Sequence, residues 1–363
     1  MLLYKMELYK MFCRRIVWIS GIIMVLLLGF YFFGLIAEER STVQGVMRFG
    51  YAAIQEDRRI TKEFEGILTD EKLQQIVEKY GFVSQVQSDY GSWWDKNYLT
   101  EFVADYFSDG YMRGWDVGEY QIPKQLISIK EFKMKEDMTG EDIYFGYSKG
   151  WTKYVEFMEF ASYVLMVWLV TVLSPLFAQD YDTNMHALLF TTENGSTKDV
   201  SARILAAFSV TLISFFAVAL LAFLGIWFVY GLDGAQELRK FGSYYLAWSG
   251  QFTKIQFSFW YLLRCGMAIL MTCGFCVIAS AESKSNFESL IIVGGILIVP
   301  FVFLILGMEL VYGICLSQPV CLISVSFWED VQLPCRIFLY IGIFFIAACT
   351  LTGRAKWIKS GLE

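Results

Sequence analysis

The feature that most constrains this chain is a set of apolar runs, with few charges or none, long enough to cross a lipid bilayer. The clearest is Ile16 to Ala37, 22 residues without a charged side chain. At ~1.5 Å of helical rise per residue, such a run spans a hydrocarbon core of ~30 Å. No small-x-small cleavage site follows it, so it reads as a retained first span, not a signal peptide. Five more segments share its character: 155–179, 204–232, 257–281, 288–314 and 337–353. Their apolar residues follow one another too densely for barrel strands, which alternate. Composition agrees: 56% of the 363 residues are hydrophobic and 18% aromatic, more than a soluble core of this length can bury. The expectation is an all-α integral membrane protein with six transmembrane helices.

Charge is segregated. Residues 38–154 hold 15 basic and 21 acidic side chains, which accounts for the whole formal charge of −6. This stretch is domain-sized. Thr69 ahead of Asp70 and Glu71 is an N-cap signal, and Leu73, Ile76, Val77 and Tyr80 form a helical stripe that Gly81 ends. A second helix is expected over Asn97 to Phe107, and Gly110, Gly114 and Gly118 mark a looped stretch with Trp115. The inserted domain is therefore expected to be mainly helical.

Orientation follows from Lys and Arg near the spans. Lys5, Lys10, Arg14 and Arg15 precede the first span, and Arg354, Lys356 and Lys359 follow the last. Both termini are therefore expected in the cytoplasm, with 180–203 and the turn at Lys284 on the same side and residues 38–154 outside. Arg239, Lys240 and Lys254 run mildly against the rule. Residues 1–15 read as a helix lying on the membrane, with Leu2, Met6, Tyr9, Phe12 and Cys13 on one face and Glu7, Lys10 and Arg14 on the other. Residues 354–363 form a cytoplasmic tail.

Several chemistries are disfavoured. No basic face suits nucleic acid. The single histidine, His186, has no cysteine at ligand spacing, which speaks against zinc. No GxxxxGK[ST] phosphate loop, Gly-x-Ser-x-Gly or His-Glu-x-x-His occurs. Cys265, Cys273, Cys276 and Cys349 lie in apolar runs as small packing residues. Cys315, Cys321 and Cys335 flank a short loop placed outside. One disulfide can form there, with its pairing open and one cysteine left over. Arg264 sits ~10 Å in from the outer start of its span, and Glu309 roughly 8 Å in from the outer end of the next. They are expected to pair, since a lone charge in lipid costs at least ~2.5 kcal/mol. Such a pair either lines a pathway or is purely structural.

The loop 180–203 carries the most information. It begins at Leu176-Phe177-Ala178-Gln179-Asp180, continues through Leu188-Leu189-Phe190-Thr191-Thr192-Glu193-Asn194-Gly195, and closes on Lys198-Asp199 and Arg203. Here the chain resembles the ABC-2 family of transporter permeases. Phe177, Asp180, Leu188, Leu189, Thr191, Thr192, Gly195 and Arg203 fall on the family's pattern. Asp180 stands where Glu is more usual, Arg203 where Lys is, and Asn184-Met185 where Gly-Thr is common. The large segment between the first two spans and the turn Ser280 to Asn286 are similar to one bacterial branch of the family. The resemblance implies the six-span fold of type V exporters and a cell-membrane location in a bacterium. It also implies a second permease subunit, identical or different, and a separate ATPase subunit that holds ATP and Mg, with no cofactor on this chain. Asp180, Leu188, Leu189, Phe190, Glu193, Gly195, Lys198 and Arg203 would then couple to that ATPase. The apolar residues would fill a groove, with Glu193, Lys198 and Asp199 at its rim. The implied work is export of a peptide, antibiotic or lipid-like molecule by a non-enzymatic transport subunit. A receptor whose outer domain binds a ligand, and an intramembrane enzyme, are the readings from other classes.

Overall fold

The computed structural model describes residues 2–82, 96–109, 125–135, 142–191, 197–238, 241, 252–305, 319–323 and 335–360. The chain is mostly helical and divides into two compact units. The first comprises Met1–Phe30, Phe157–Ala222 and Trp260–Glu363; the second comprises Tyr31–Glu156 and Phe223–Phe259. Four long helices contribute residues to both.

In the first unit, α1 (Leu2–Phe12) precedes α2 (Arg15–Ala37). Met6, Tyr9 and Phe12 of α1 are exposed, whereas Glu7 and Met11 are buried. The apolar face anticipated from sequence thus looks away from the protein, and the polar face is the one that packs. Helix α7 (Lys149–Leu173) begins well before the apolar run that announces it and stops before the expected end. The break falls at Ser174-Pro175, where α8 (Pro175–Asp182) starts with proline at its first turn. Proline has no N–H to give to the preceding turn but is tolerated at a helix start. Helix α9 (His186–Thr191) is short, α10 (Lys198–Tyr230) and α11 (Lys254–Glu282) are long, and α12 is Asn286–Ile305. A five-residue helix α13 (Pro319–Ile323) and the long α14 (Cys335–Ser360) complete the unit. Where a short sixth span and a separate tail were expected, α14 is one continuous helix.

Among the described residues, five helical stretches are long and apolar enough to cross a membrane: Arg15–Ala37, Lys149–Asp182, Lys198–Tyr230, Lys254–Glu282 and Leu339–Lys359. The fifth expected span corresponds to α12, whose apolar part is shorter among the described residues. Helices α7 and α11 are the most enclosed. On α7, Ala161, Leu165, Leu169 and Val172 recur at helical spacing and are fully buried. On α11 the buried stripe is small: Cys265, Ala268, Thr272, Cys276 and Ser280. Small side chains let helix backbones approach closely, the favoured route to packing where water supplies no hydrophobic drive.

The second unit has its own aromatic core. Beyond the end of α2, β1 (Arg40–Val43) and β2 (Val46–Phe49) pair as a hairpin, Arg40 opposite Phe49 and Val43 opposite Val46. Its two-residue turn, Gln44-Gly45, takes positive φ at both positions, as a tight hairpin requires. Helix α3 (Tyr51–Lys62) follows, then β3 (Gly66–Ile67), which pairs antiparallel with β4 (Tyr144–Phe145). Helix α4 (Asp70–Tyr80) starts at Thr69, whose hydroxyl accepts from the Lys72 amide at 3.3 Å, and ends at Gly81 with φ 81°. Both caps are those anticipated from sequence. Helix α5 (Tyr98–Tyr106) opens on a capping box between Asn97 and Thr100. Helix α6 (Ile129–Lys135) brings in Phe132. The stretch around Gly110, Gly114, Trp115 and Gly118 lies outside the described residues. Among the described residues, two short ribbons accompany the helices of an insert expected to be mainly helical.

The composition of this core is the main surprise. Phe102 and Phe145 lie 4.5 Å apart, Phe107 and Phe132 4.7 Å, and Phe241 reaches Phe102 at 5.3 Å and Phe132 at 5.8 Å between ring centroids. Phe241 belongs to the connection between α10 and α11, which reads from sequence as a short loop. It is instead a second segment of the inserted domain. Gly150 and Gly231 fix the junction within this unit. A Cβ on Gly150 would sit 2.0 Å from the Gly231 carbonyl oxygen, so only glycine admits the approach.

Candidate functional site

The break at Pro175 exposes the first amides of α8, and the chain supplies an acceptor from elsewhere. The hydroxyl of buried Ser280, on α11, accepts from the amides of Phe177 at 2.8 Å and Ala178 at 3.1 Å. This satisfies two of the donors that every helix start leaves open. At the other end of α8, the Asp182 carboxylate accepts from the Asn286 amide at 3.0 Å, placing negative charge at the positive end of α12. Ser285 and Glu288 close the same helix start: the Ser285 hydroxyl accepts from the Glu288 amide, and the Glu288 carboxylate from the Lys284 amide. The turn after α11 and the hairpin after α7 are thus bonded to each other.

Arg203, one turn into α10, is the centre of this region and only 1% exposed. Its guanidinium contacts Asp180 of α8, lies 2.7 Å from Asp199 one helical turn back, and 3.8 Å from Glu7 of α1. It also donates to the Leu176 carbonyl at 3.1 Å. The planar group lies near the rings of Phe177 at 5.6 Å and Trp357 of α14 at 5.8 Å, where a cation is attracted to the aromatic faces. Lys10 bonds Glu7 at 2.5 Å, so the third carboxylate has a cation of its own. Trp357 is fully buried and packs on Phe177, Tyr181 and Phe190 at 4.9, 5.4 and 5.3 Å. A forked, permanently charged donor suits such a crossing better than lysine, because one side chain can face several acceptors in fixed directions. Beside it lies a cavity of about 300 Å³ lined by Glu7, Lys10, Arg14, Gln179 and Leu189 among others.

The coupling residues expected from sequence fall into different places. Asp180 and Arg203 meet in the buried joint. Leu188 is 60% exposed, Leu189 lines the cavity and Phe190 is half-buried against Trp357. Of the three apolar side chains, Leu188 is the one turned fully outward. Lys198 is exposed, whereas Asp199, expected at a rim, turns inward onto Arg203. Glu193 and Gly195 lie outside the described residues. Sequence reasoning missed Glu7, Ser280 and Trp357. Only the i,i+4 spacing of Asp199 and Arg203 could have signalled a pair.

Arg264 is buried, and its described bonds run to the end of α13. Nε donates to the Leu322 carbonyl at 2.8 Å, and neighbouring Tyr261 donates to the Ile323 carbonyl at 2.8 Å. A cation over free carbonyls at a helix C-terminus is favourable. The expected partner Glu309 lies outside the described residues, as do Cys315 and the side chains of Cys321 and Cys335. Cys265, Cys273 and Cys276 are free and buried, and Cys349 is free and half-buried. Among the described residues no group of three or more His, Cys, Asp or Glu could hold a metal ion.

Of the buried carboxylates described in the inserted domain, Asp57 and Glu237 are the most enclosed. Asp57 of α3 accepts from the Ser41 hydroxyl at 2.6 Å and the Tyr98 amide at 3.3 Å, and Lys149 stands 3.6 Å away. Burial pushes its pKa up to about 6 from an ordinary 3.8, against the pull of Lys149 and the Ser41 bond. Glu237, in the Phe241 segment, is fully buried and is likewise held well above the ordinary carboxylate range by burial, with Lys254 opposing.

No family model, curated protein or solved structure matches this chain. What it does must therefore be argued from its own geometry.

Proposed function

We propose that this chain is the membrane-spanning permease subunit of an ATP-driven exporter, working with a separate ATPase. In this reading the long apolar helices cross a bacterial cell membrane, both termini and the 180–203 hairpin face the cytoplasm, and the inserted domain stands outside. The observation that carries it is the buried Arg203 joint. A permease without a phosphate loop must receive force from a motor through its own surface. Asp180, Asp199 and Glu7 around Arg203, with Trp357 packed over it, tie α8, α10, α1 and α14 together at the foot of the long helices. A push on the α9 segment is therefore delivered to several helices at once. Leu188, exposed beside this joint, supplies an apolar contact for the motor.

The test is co-purification with the phosphate-loop ATPase encoded nearest to this gene. Leu188→Asp should abolish capture of the ATPase and its stimulation while leaving insertion in the membrane unchanged. Undiminished capture after deletion of residues 188–198 would refute the coupling role. Labelling an introduced thiol at position 188 on intact cells would refute the orientation. A receptor is the second reading, favoured by a cavity of about 650 Å³ in the inserted domain, lined by Tyr98, Glu101, Lys149 and Lys153 among others. It predicts ligand binding and signalling without ATP turnover.

A further inference from the structure

The inserted domain contains a chamber of about 650 Å³. That size is ordinary for a small-molecule site. Its lining lies within the second unit and includes residues 38–40 after α2, residues 148–156 around the start of α7, and Lys254 at the start of α11. Its wall is α5, whose Tyr98, Phe102 and Tyr106 follow at four-residue spacing and so share one helix face.

Three properties of this lining select a ligand. First, among the described residues it is charged but balanced, with five cations (Arg40, Lys96, Lys149, Lys153, Lys254) and five anions (Glu38, Glu39, Glu101, Asp105, Glu156). Six of these charges stand in ion pairs with one another. Lys149 lies 2.5 Å from Glu39, Lys153 3.0 Å from Glu156 and 3.8 Å from Glu39, and Lys96 2.6 Å from Glu101. A lining of zero net charge gives no advantage to an anion or a cation as such, but solvates both ends of a zwitterion. An incoming ammonium can share Glu101 or Glu156, and an incoming carboxylate can share Lys96 or Lys153, so that neither existing pair loses its partner. Second, the aromatic wall offers an apolar or aromatic group a dry surface. Third, among the described residues the lining takes in Glu38, Glu156 and Lys254 at those helices and none of their apolar turns. The described lining thus offers the three rings of α5 and none of the apolar turns of the long helices, which favours a compact apolar group over acyl chains.

We propose that this chamber binds a small water-soluble zwitterion carrying an aromatic or apolar part: an aromatic amino acid or a short peptide with both ends free. The site goes beyond the permease reading and does not rest on it, since ligand can be bound whether or not an ATPase is attached.

The experiment is calorimetric titration of the full-length protein in lipid nanodiscs, without ATPase or ATP. The probes are free phenylalanine, the tripeptide phenylalanyl-alanyl-phenylalanine, the same tripeptide acetylated at one end or amidated at the other, and short-chain phosphatidylethanolamine. One or both free-ended probes should bind saturably and compete with each other, and blocking either end of the tripeptide should weaken it about tenfold or more, the usual loss when a charged hydrogen bond is removed. Lys96→Gln and Glu101→Gln, a part-exposed pair, should each weaken binding by a similar factor without moving the thermal midpoint. Tyr106→Ala should weaken the tripeptide more than a probe lacking aromatic groups, glycylglycine. Absence of saturable binding by both free-ended probes would overturn the proposal. So would binding indifferent to end blocking, binding unchanged in both charge variants, or displacement by the lipid at lower concentration than by the peptide. Loss of ATPase capture in the Leu188→Asp experiment leaves these titrations unaffected, so the two readings fail separately.

Discussion

Replacing Arg203 by methionine removes the guanidinium at nearly constant length and tests the joint directly. Arg203 is 1% exposed, and Asp199 and Glu7 are buried beside it. Removing the cation leaves these two carboxylates, with Asp180, facing one another and the Leu176 carbonyl without its donor. Breaking a buried ion pair from one side costs ~3–5 kcal/mol, because the orphaned charge stays desolvated. Lost attraction to the Phe177 and Trp357 faces adds about 0.5–2 kcal/mol, offset in part by sulfur–aromatic contact of about 0.3–1.5 kcal/mol. The net expectation is roughly 3–5 kcal/mol. At about 2 °C per kcal/mol for a chain of this size, the midpoint should fall by roughly 6–10 °C. Tryptophan fluorescence during heating of detergent-solubilised protein reads it, with Trp357 as the local reporter 5.8 Å from the guanidinium carbon. A variant that also carries Asp180→Asn, Asp199→Asn and Glu7→Gln should recover most of the loss, since replacing a whole buried ionic network by neutral groups is close to neutral. A fall of less than about 2 °C for Arg203→Met, or a quadruple variant less stable than the single one, would show that the carboxylates do not depend on Arg203.

Ser280→Ala leaves the amides of Phe177 and Ala178 without their acceptor at a buried helix start, and should cost about 1–2 kcal/mol in unfolding experiments, with faster amide exchange confined to the first turn of α8. Phe241→Ala removes a ring that is 1% exposed from the centre of the inserted domain and should cost ~3–5 kcal/mol; limited proteolysis should then open residues 38–154, and an unchanged digestion pattern would separate that segment from the domain. Asp57, with its pKa near 6 in the folded domain and 3.8 as the ordinary value, binds its proton more tightly folded than unfolded. Its stabilising contribution is full below about pH 4 and is lost as pH rises through about 6, a change of roughly 3 kcal/mol. Asp57→Asn should flatten that part of the stability profile, measured as unfolding midpoint against pH, and an unaltered slope would place the titration elsewhere.

The sequence by itself determined the features that depend on neighbours within a turn or two. Uncharged runs of sufficient length set where the long helices lie, because a helix satisfies its own backbone bonds and hydropathy is additive along it. Thr69, Asn97 and Gly81 set helix ends, because a cap is a bond between residues three or four apart. The break at Ser174-Pro175 was not read from the sequence, because the apolar run continues through it to 179; proline's missing N–H was the local signal. Only the tertiary structure decided which charged side chains turn inward. Lys198 and Asp199 are adjacent in sequence, yet one is exposed and the other faces Arg203, because α1 and α8 arrive on one side of α10 alone. Glu7 meets Arg203, Ser280 meets Phe177, and Phe241 completes a core begun at Ile60. Each joins segments far apart in the chain, and a buried charge or ring is stabilised by whatever packing brings against it. No periodicity within one helix records that.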